Sequence, residues 1–414
     1  MSGSKPDTGG GVAMKFGALL ASAALLIAGN ALQNTLIGVR ATIEGFDAVF
    51  VGVAMAGFFF GYVIGALACP RLIDRVGHIR AFAVLATVSS AAALAHPVYP
   101  DVVVWTLLRI LTGACIAGLL LVVESWLNGK VANAGRGQLL SIYFMLNYGV
   151  TAASQYFLLL APASGYELFI LASVLLSFAV APVGVTTETA PAPPPRRRLS
   201  LSKLYAVSPL AVVGCFLVGV TNGAFWSLGP VYAVGIDLAP SAVSLLMSAI
   251  VVGGMLAQAP IGRLSDRVDR RWVIVGGALC LSTSAAPFAL GVLEGGPAFF
   301  VVAVILGGFL LTQYALCVAH ANDFAEPGDF VLVSSGLLLV FGIGASIGPL
   351  LAGAAMDLVG PRALFMHIIL FALINAAFGI WRMTARAAPA SAQAAEFAPS
   401  PVAAAPVFDP RAER

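Results

Sequence analysis

Arg109 lies inside an otherwise apolar run, 102–126, seven positions from its start. If that run crosses a bilayer, a rise of ~1.5 Å per residue places the guanidinium roughly 10 Å deep, where a bare charge costs at least ~2.5–3.5 kcal/mol. It cannot shed its proton, so it needs a partner. The polar residues at comparable positions of other apolar runs are neutral: Asn30, Gln33 and Asn34 in one, Asn222 in a second, Gln313 and Tyr314 in a third. Two chemistries fit. Amides and carbonyls of the first run satisfy Arg109, or it meets a carboxylate or other anionic group on a bound small molecule, which a planar two-point donor suits. Trp226, four residues after Asn222, likewise fits either stacking against a ring or sugar face or plain packing.

A second set of charges has a different character. Asp74-Arg75 and Asp266-Arg267 fall in short charged segments between apolar runs. The plain reading is topological, with basic residues holding each segment on one side of a membrane. The functional reading is a gate: Asp74 faces the positive N-terminus of a helix from the other half of the chain while arginines bridge neighbouring helices. Glu124 lies 22 residues beyond Val102, about 33 Å along a helix, which places it near the interface. It reads as a gate partner of Arg71 or Arg75, with a proton carrier as the alternative. His320 and His367 have no midplane acid partner and read as packing or interfacial residues. A His-Glu-x-x-His arrangement is missing, as is a phosphate-cradling loop. Cys69, Cys115, Cys215, Cys280 and Cys317 lie in apolar runs without ligand spacing. No catalytic residue, metal or cofactor is therefore expected.

The elements that must position these residues follow from composition. Of 414 residues 60% are hydrophobic and 10% charged, and mean hydropathy is +0.96, whereas soluble domains carry about 25% charged residues. So few charges cannot cover a soluble surface. A net charge of +3 is too small to suggest nucleic acid. Runs long enough to span a bilayer occur near 15–37, 47–69, 79–98, 102–126, 138–160 and 166–185, then near 208–232, 241–261, 272–292, 297–320, 331–355 and 362–383. The first is too long for a secretory signal core and lacks a cleavage site. With the N-terminus inside, all 22 Lys and Arg lie on the inner side except Arg40, Arg362 and the buried Arg109, so both termini are expected to be cytoplasmic. The acidic segment 321–329 dissents, but acids weigh little in that rule.

The organisation read from these runs is a disordered N-terminus (1–14), a six-helix half (15–185), a cytoplasmic linker (186–207), a second six-helix half (208–383) and a disordered tail (384–414). The linker holds Pro191, Pro193, Pro194 and Pro195 ahead of Arg196-Arg197-Arg198, a composition that cannot span lipid. The halves repeat. Met55, Gly61, Asp74 and Arg75 recur 192 residues later as Met247, Gly253, Asp266 and Arg267; Tyr148-Gly149 matches Phe341-Gly342 at 193, and Gly113 and Asn128 match Gly307 and Asn322 at 194. Parallel six-span repeats with a site near the midplane between them are an architecture of secondary transporters.

The motifs carry a resemblance. Asp74-Arg75-Val76-Gly77-His78-Ile79-Arg80 and the run from Gly262 to Arg271 resemble the loop after the second and eighth spans of the major facilitator superfamily. Pro70 stands where the pattern begins with glycine, and Asp269 replaces the later glycine of the second copy. Arg109-Ile110-Leu111-Thr112-Gly113 is similar to the fourth-span motif, with Thr112 where glutamine is common. Glu124-Ser125-Trp126-Leu127-Asn128 and the glycines from Gly342 to Gly353 look most like the YcaD-like bacterial branch. The resemblance implies an all-α membrane protein of twelve transmembrane helices in two pseudo-symmetric halves, and a multi-pass place in a bacterial inner membrane. It also implies a secondary transporter moving a small organic solute by alternating access, with the first, fourth, seventh and tenth spans lining the cavity. The expected partners are that solute, the lipid bilayer and a coupling proton, around a monomer. The solute residues expected are Arg109, Asn30, Gln33, Asn222, Trp226, Gln313 and Tyr314, and the gate residues Asp74, Arg75, Glu124, Asp266 and Arg267. An anionic solute, efflux of neutral or cationic amphiphiles, and a non-transporting receptor on the same fold stay open. The fifth span lacks the Gly-Pro signature usual in the family's drug-proton antiporters.

Overall fold

A peptide group inside lipid has no water to bond, so a spanning segment must satisfy its own backbone, and the helix does so locally. The computed structural model describes residues 16–130, 133–185, 200–326 and 329–385. Its long helices are α1 (Gly17–Ile43), α2 (Ala48–Val76), α3 (His78–Ala95), α4 (Val102–Lys130), α5 (Asn133–Ser154), α6 (Glu167–Phe178), α7 (Pro209–Gly235), α8 (Pro240–Arg267), α9 (Arg270–Leu290), α10 (Gly296–Asn322), α11 (Phe330–Val359) and α12 (Ala363–Ala385). Short helices follow α6 at Val180–Gly184 and precede α7 at Leu201–Val207, the latter inside the stretch expected to be linker. Eleven spans among the described residues are long and apolar enough to cross a membrane. The segment α5, whose first turns hold Asn133, Arg136 and Gln138, is not one of them. The expected disordered end 1–14, the tail from 386 and linker residues 186–199 lie outside the described residues.

Several boundaries follow from local chemistry. Ser208 Oγ accepts from Ala211 N–H at 3.2 Å to start α7, with Pro209 in its first turn, where a missing N–H costs nothing. Gly291 ends α9 at φ 65°, in the left-handed region that favours glycine. One expectation changes here. Asp74-Arg75 and Asp266-Arg267 form the last helical turns of α2 and α8, so the connections shrink to Gly77 and to Val268-Asp269. Helices end where the backbone can turn, at Gly77 with φ 85°, and not where apolar residues run out.

Short connections make successive helices antiparallel. One end of the bundle therefore carries the linker, and we call it the linker end and its opposite the far end. Within the first group α2 packs on α4, and within the second α8 packs on α10. The repeated glycines are the crossing points. A Cβ on Gly61 would fall on the Ile110 carbonyl and one on Gly113 on that of Phe58. At the corresponding positions, a Cβ on Gly253 would strike Val304 and one on Gly307 would strike Ile250. Small residues let backbones approach where lipid supplies no hydrophobic drive between helices. The groups meet through α2–α11, α1–α7 and α5–α8.

The apolar cores divide unevenly along the bundle. At the far end one core joins both groups, running from Leu32, Leu36 and Trp105 through Phe225 and Leu228 to Leu246, Phe288 and Phe365. At the linker end there are two separate cores. One holds Leu19, Phe82, Leu119 and Leu127 of the first group, the other Leu210, Ile274, Leu316 and Phe330 of the second. The half-buried Phe59 touches both.

Gly61→Ala and Gly253→Ala should each lower stability by ~1–3 kcal/mol through overpacking against backbone, read as denaturation of the detergent-purified protein. Gly149→Ala and Gly276→Ala, whose Cβ atoms would meet nothing within 4 Å, should be neutral or slightly stabilising.

Candidate functional site

The shared far-end core stops at a cavity of about 190 Å³ between the two groups. Asn30, Asn34 and Thr35 of α1 line it, as do Phe58, Phe59 and Tyr62 of α2 and Asn147, Tyr148 and Thr151 of α5. The second group contributes Trp226 of α7, Val251 of α8, Leu311 of α10 and Leu338, Phe341 and Gly342 of α11. Helical spacing sets this face: Asn30 and Asn34 are one turn apart, as are Asn147 and Thr151. The wall is mostly apolar and aromatic, its amides and hydroxyls come from the first group, and no charged side chain lines it among the described residues.

Arg109 is one layer back. It is fully buried, its Nη2 donates to Asn34 Oδ1, and its guanidinium carbon lies 4.3 Å from the centroid of the Phe58 ring. Asn34 and Phe58 both face the cavity, so they stand between the charge and any occupant. The ring face and the amide stabilise the cation, while Nε and Nη1 have no hydrogen-bond partner. Partnership with a first-helix amide, one of the two chemistries open from sequence, is therefore present.

The other expected solute residues divide. Asn30 and Trp226 line the cavity, Asn30 with an unpaired, buried Oδ1 and Trp226 edge-on to Phe225 at 5.8 Å. Asn222 instead staples α7 to α10, donating at 3.1 Å to the carbonyls of Val218 and Leu310. Gln33 is buried away from the wall. Gln313 points toward Gly277 of α9, and Tyr314 packs on the back of Phe341 at 5.1 Å. The tenth helix thus presents Leu311, because residues two apart lie about 200° apart around a helix. Sequence reasoning missed α2, α5, α8 and α11 as wall elements. The one-turn spacing of Asn147 and Thr151 beside Tyr148 was the available signal.

At the linker end Arg270 and Arg271 form ion pairs within the second group. Arg270 joins Asp266 of α8 at 2.7 Å to Asp323 after α10 at 2.8 Å. Asp269 starts α9 by accepting from the Arg271 backbone at 3.0 Å. The Arg271 side chain, bonded to it at 2.6 Å, holds the Asp269 carboxyl below the usual carboxylate range. Asp74, Arg75 and Arg267 are exposed. Glu124 is buried and accepts from the Tyr143 hydroxyl at 3.5 Å, and Arg71 donates to the Leu67 carbonyl at 3.4 Å.

Comparison with known proteins agrees with this architecture. The sequence profile of the Major Facilitator Superfamily matches residues 211–411. The MFS-type transporter YcaD of Salmonella typhimurium is 28% identical over 361 residues, covering 84% of this chain and 91% of the relative, and that of Salmonella typhi matches equally. Among solved structures, the nucleoside transporter NupG superposes with a TM-score of 0.70 at 12% identity, covering 90% of this chain and 98% of its own. A bacterial homologue of the human lysosomal transporter Spinster, inward-facing and occupied, gives 0.72 at 16% identity, covering 94% and 100%. At such identities these structures bear on the fold alone. The all-helical fold, the paired Asp-Arg turns and these likenesses make the chain similar to the major facilitator superfamily, and eleven of its described helices are long and apolar enough to cross a membrane.

Proposed function

We propose that this chain is a secondary active transporter that moves a small organic solute by alternating access. Its twelve helices rock as two six-helix halves, 15–185 and 208–383. One observation carries the reading. The cavity lies at the seam between the groups, closed toward the far end by a shared core and flanked toward the linker end by two separate ones. Two bodies joined at one end and apart at the other are poised to exchange which end is joined. The basic residues put the linker end in the cytoplasm of a bacterial inner membrane, which makes this the inward-open state. An inward-facing state is also the one named for the Spinster homologue.

The wall chemistry selects the solute. Phe58, Phe59, Tyr62, Trp226 and Phe341 accept an apolar or ring-bearing body. Asn30, Asn34 and Asn147 supply hydrogen bonds on one side. Behind Asn34 the Arg109 charge keeps two guanidinium nitrogens, Nε and Nη1, without a partner, so a polar head drawn to that side is anionic. Asn222, Gln33, Gln313 and Tyr314 support this site from behind. Asp74, Arg75, Asp266 and Arg267 form the cytoplasmic gate that closes in the opposite state. Glu124, at that end beside Tyr143, serves the gate and is the carboxyl a coupling proton would use.

A thermal-shift screen across metabolite classes at two pH values identifies a solute, and uptake into vesicles holding the purified protein tests transport. A protein that binds solute yet moves none is a receptor, and the reading fails. Arg109→Lys and Arg109→Gln should each weaken binding of that solute about tenfold, because each removes the planar guanidinium that bonds Asn34, stacks on Phe58 and so fixes both toward the cavity. Wild-type affinity in both folded variants would make Arg109 a packing residue and the solute neutral. Separately, Asp74→Asn and Glu124→Gln should slow transport while leaving solute affinity within about twofold. Loss of binding in Glu124→Gln would move that residue to the solute site.

A further inference from the structure

The start of α2 is capped from the other group. Its own N-cap residue, Asp47, makes no side-chain capping bond. Phe50 and Val51 donate their N–H groups to the Asp47 carbonyl at 3.0 and 3.1 Å. That leaves the Ala48 and Val49 N–H groups, two of the unsatisfied donors that every helix start presents. Both are taken by one carboxylate more than 300 residues away in sequence: Ala48 N–H donates to Asp357 Oδ1 at 2.8 Å and Val49 N–H to Oδ2 at 2.9 Å. Asp357 lies in the last turn of α11. The carboxylate reaches because the helices touch there. A Cβ on Gly353 would fall against the Ala48 carbonyl, and one on Gly52 on that of Pro349.

We infer that Asp357 is the far-end latch of the transport cycle. This rests on the alternating-access reading. A carboxylate bonded to a helix N-terminus gains from both the charge-assisted bonds and the helix dipole. The gain exists only while α2 and α11 meet at the far end, because α2 belongs to one group and α11 to the other. Opening that end breaks both bonds together and returns two donors and one carboxylate to water. The latch therefore weights the equilibrium toward the state open at the linker end, and it sits opposite the Asp74 and Asp266 turns. A merely structural cap would stabilise α2 equally in both states. The latch acts on the difference between them.

Spin-label distances in the full-length protein read the two ends, in a background with the exposed Cys280 replaced by Ser. Labels at Tyr166 and Val292, both exposed near the far end, report opening there; labels at Ile79 and Trp272, both exposed at the linker end, report closing there. Asp357→Ala should raise the ratio of far-open to linker-open molecules about tenfold, the factor expected from losing a charge-assisted hydrogen bond. Asp357→Asn, which keeps one acceptor oxygen, should fall between Ala and wild type. The far-end distance must lengthen as the linker-end distance shortens. Gly52→Leu, a wedge in the same seam, supplies the control. If the wedge shifts both distances and Asp357→Ala shifts neither, the latch is wrong and alternating access stands. If neither variant shifts them, both ideas fall. Far-end widening without linker-end narrowing means local loosening and also overturns the latch.

Discussion

Lipid offers a peptide group no hydrogen-bond partner, and the rest of this protein is arranged around that fact. Helices follow from it at once. The next consequence is that helices cannot be driven together by burying apolar side chains, since the lipid is as apolar as they are. They must instead fit backbone to backbone. The repeated glycines do this: Gly61 and Gly113 seat α2 on α4, and Gly253 and Gly307 seat α8 on α10. Each group acquires a rigid pair at the same place in its repeat, and such pairs can move as units.

The same lack of water governs the polar residues. A buried arginine must be answered inside the protein, and here the answer is the Asn34 amide and the Phe58 ring. Both also face the cavity. The wall an occupant meets is thus uncharged, yet it is backed by a cation with unused donors. On the proposed transport reading, this separates the body of a solute, which needs only apolar contact, from its head, which feels a charge through one amide.

Between the two groups the contacts are of another kind. The far-end core is one apolar mass across the seam, whereas at the linker end Arg270 binds Asp266 and Asp323 within its own group. Apolar contact across a seam can be exchanged for similar contact at its other end with little net change. Directional bonds such as those of Asp357 cannot, which is why the proposed latch rests on them.

Much of the fold was legible in sequence for simple reasons. Hydropathy marks spans because a bilayer has a fixed thickness, the basic residues mark a side, and the 192-residue offset from Gly61 to Gly253 marks a repeat whose glycines are its crossing points. The resemblance to the family was carried by the two Asp-Arg turns. Other features were decided in three dimensions. Depth along a helix can be counted from sequence, but rotation about its axis cannot, because packing against several neighbours sets it; Leu311 therefore faces the cavity where Gln313 was expected, and Asn147 enters it from a helix not expected to line it. That Arg109 stands behind Phe58, and that Asp357 caps a helix in the other group, depends on which helices meet across the seam. Local sequence sets what each helix is, and the meeting of distant helices sets what each side chain touches.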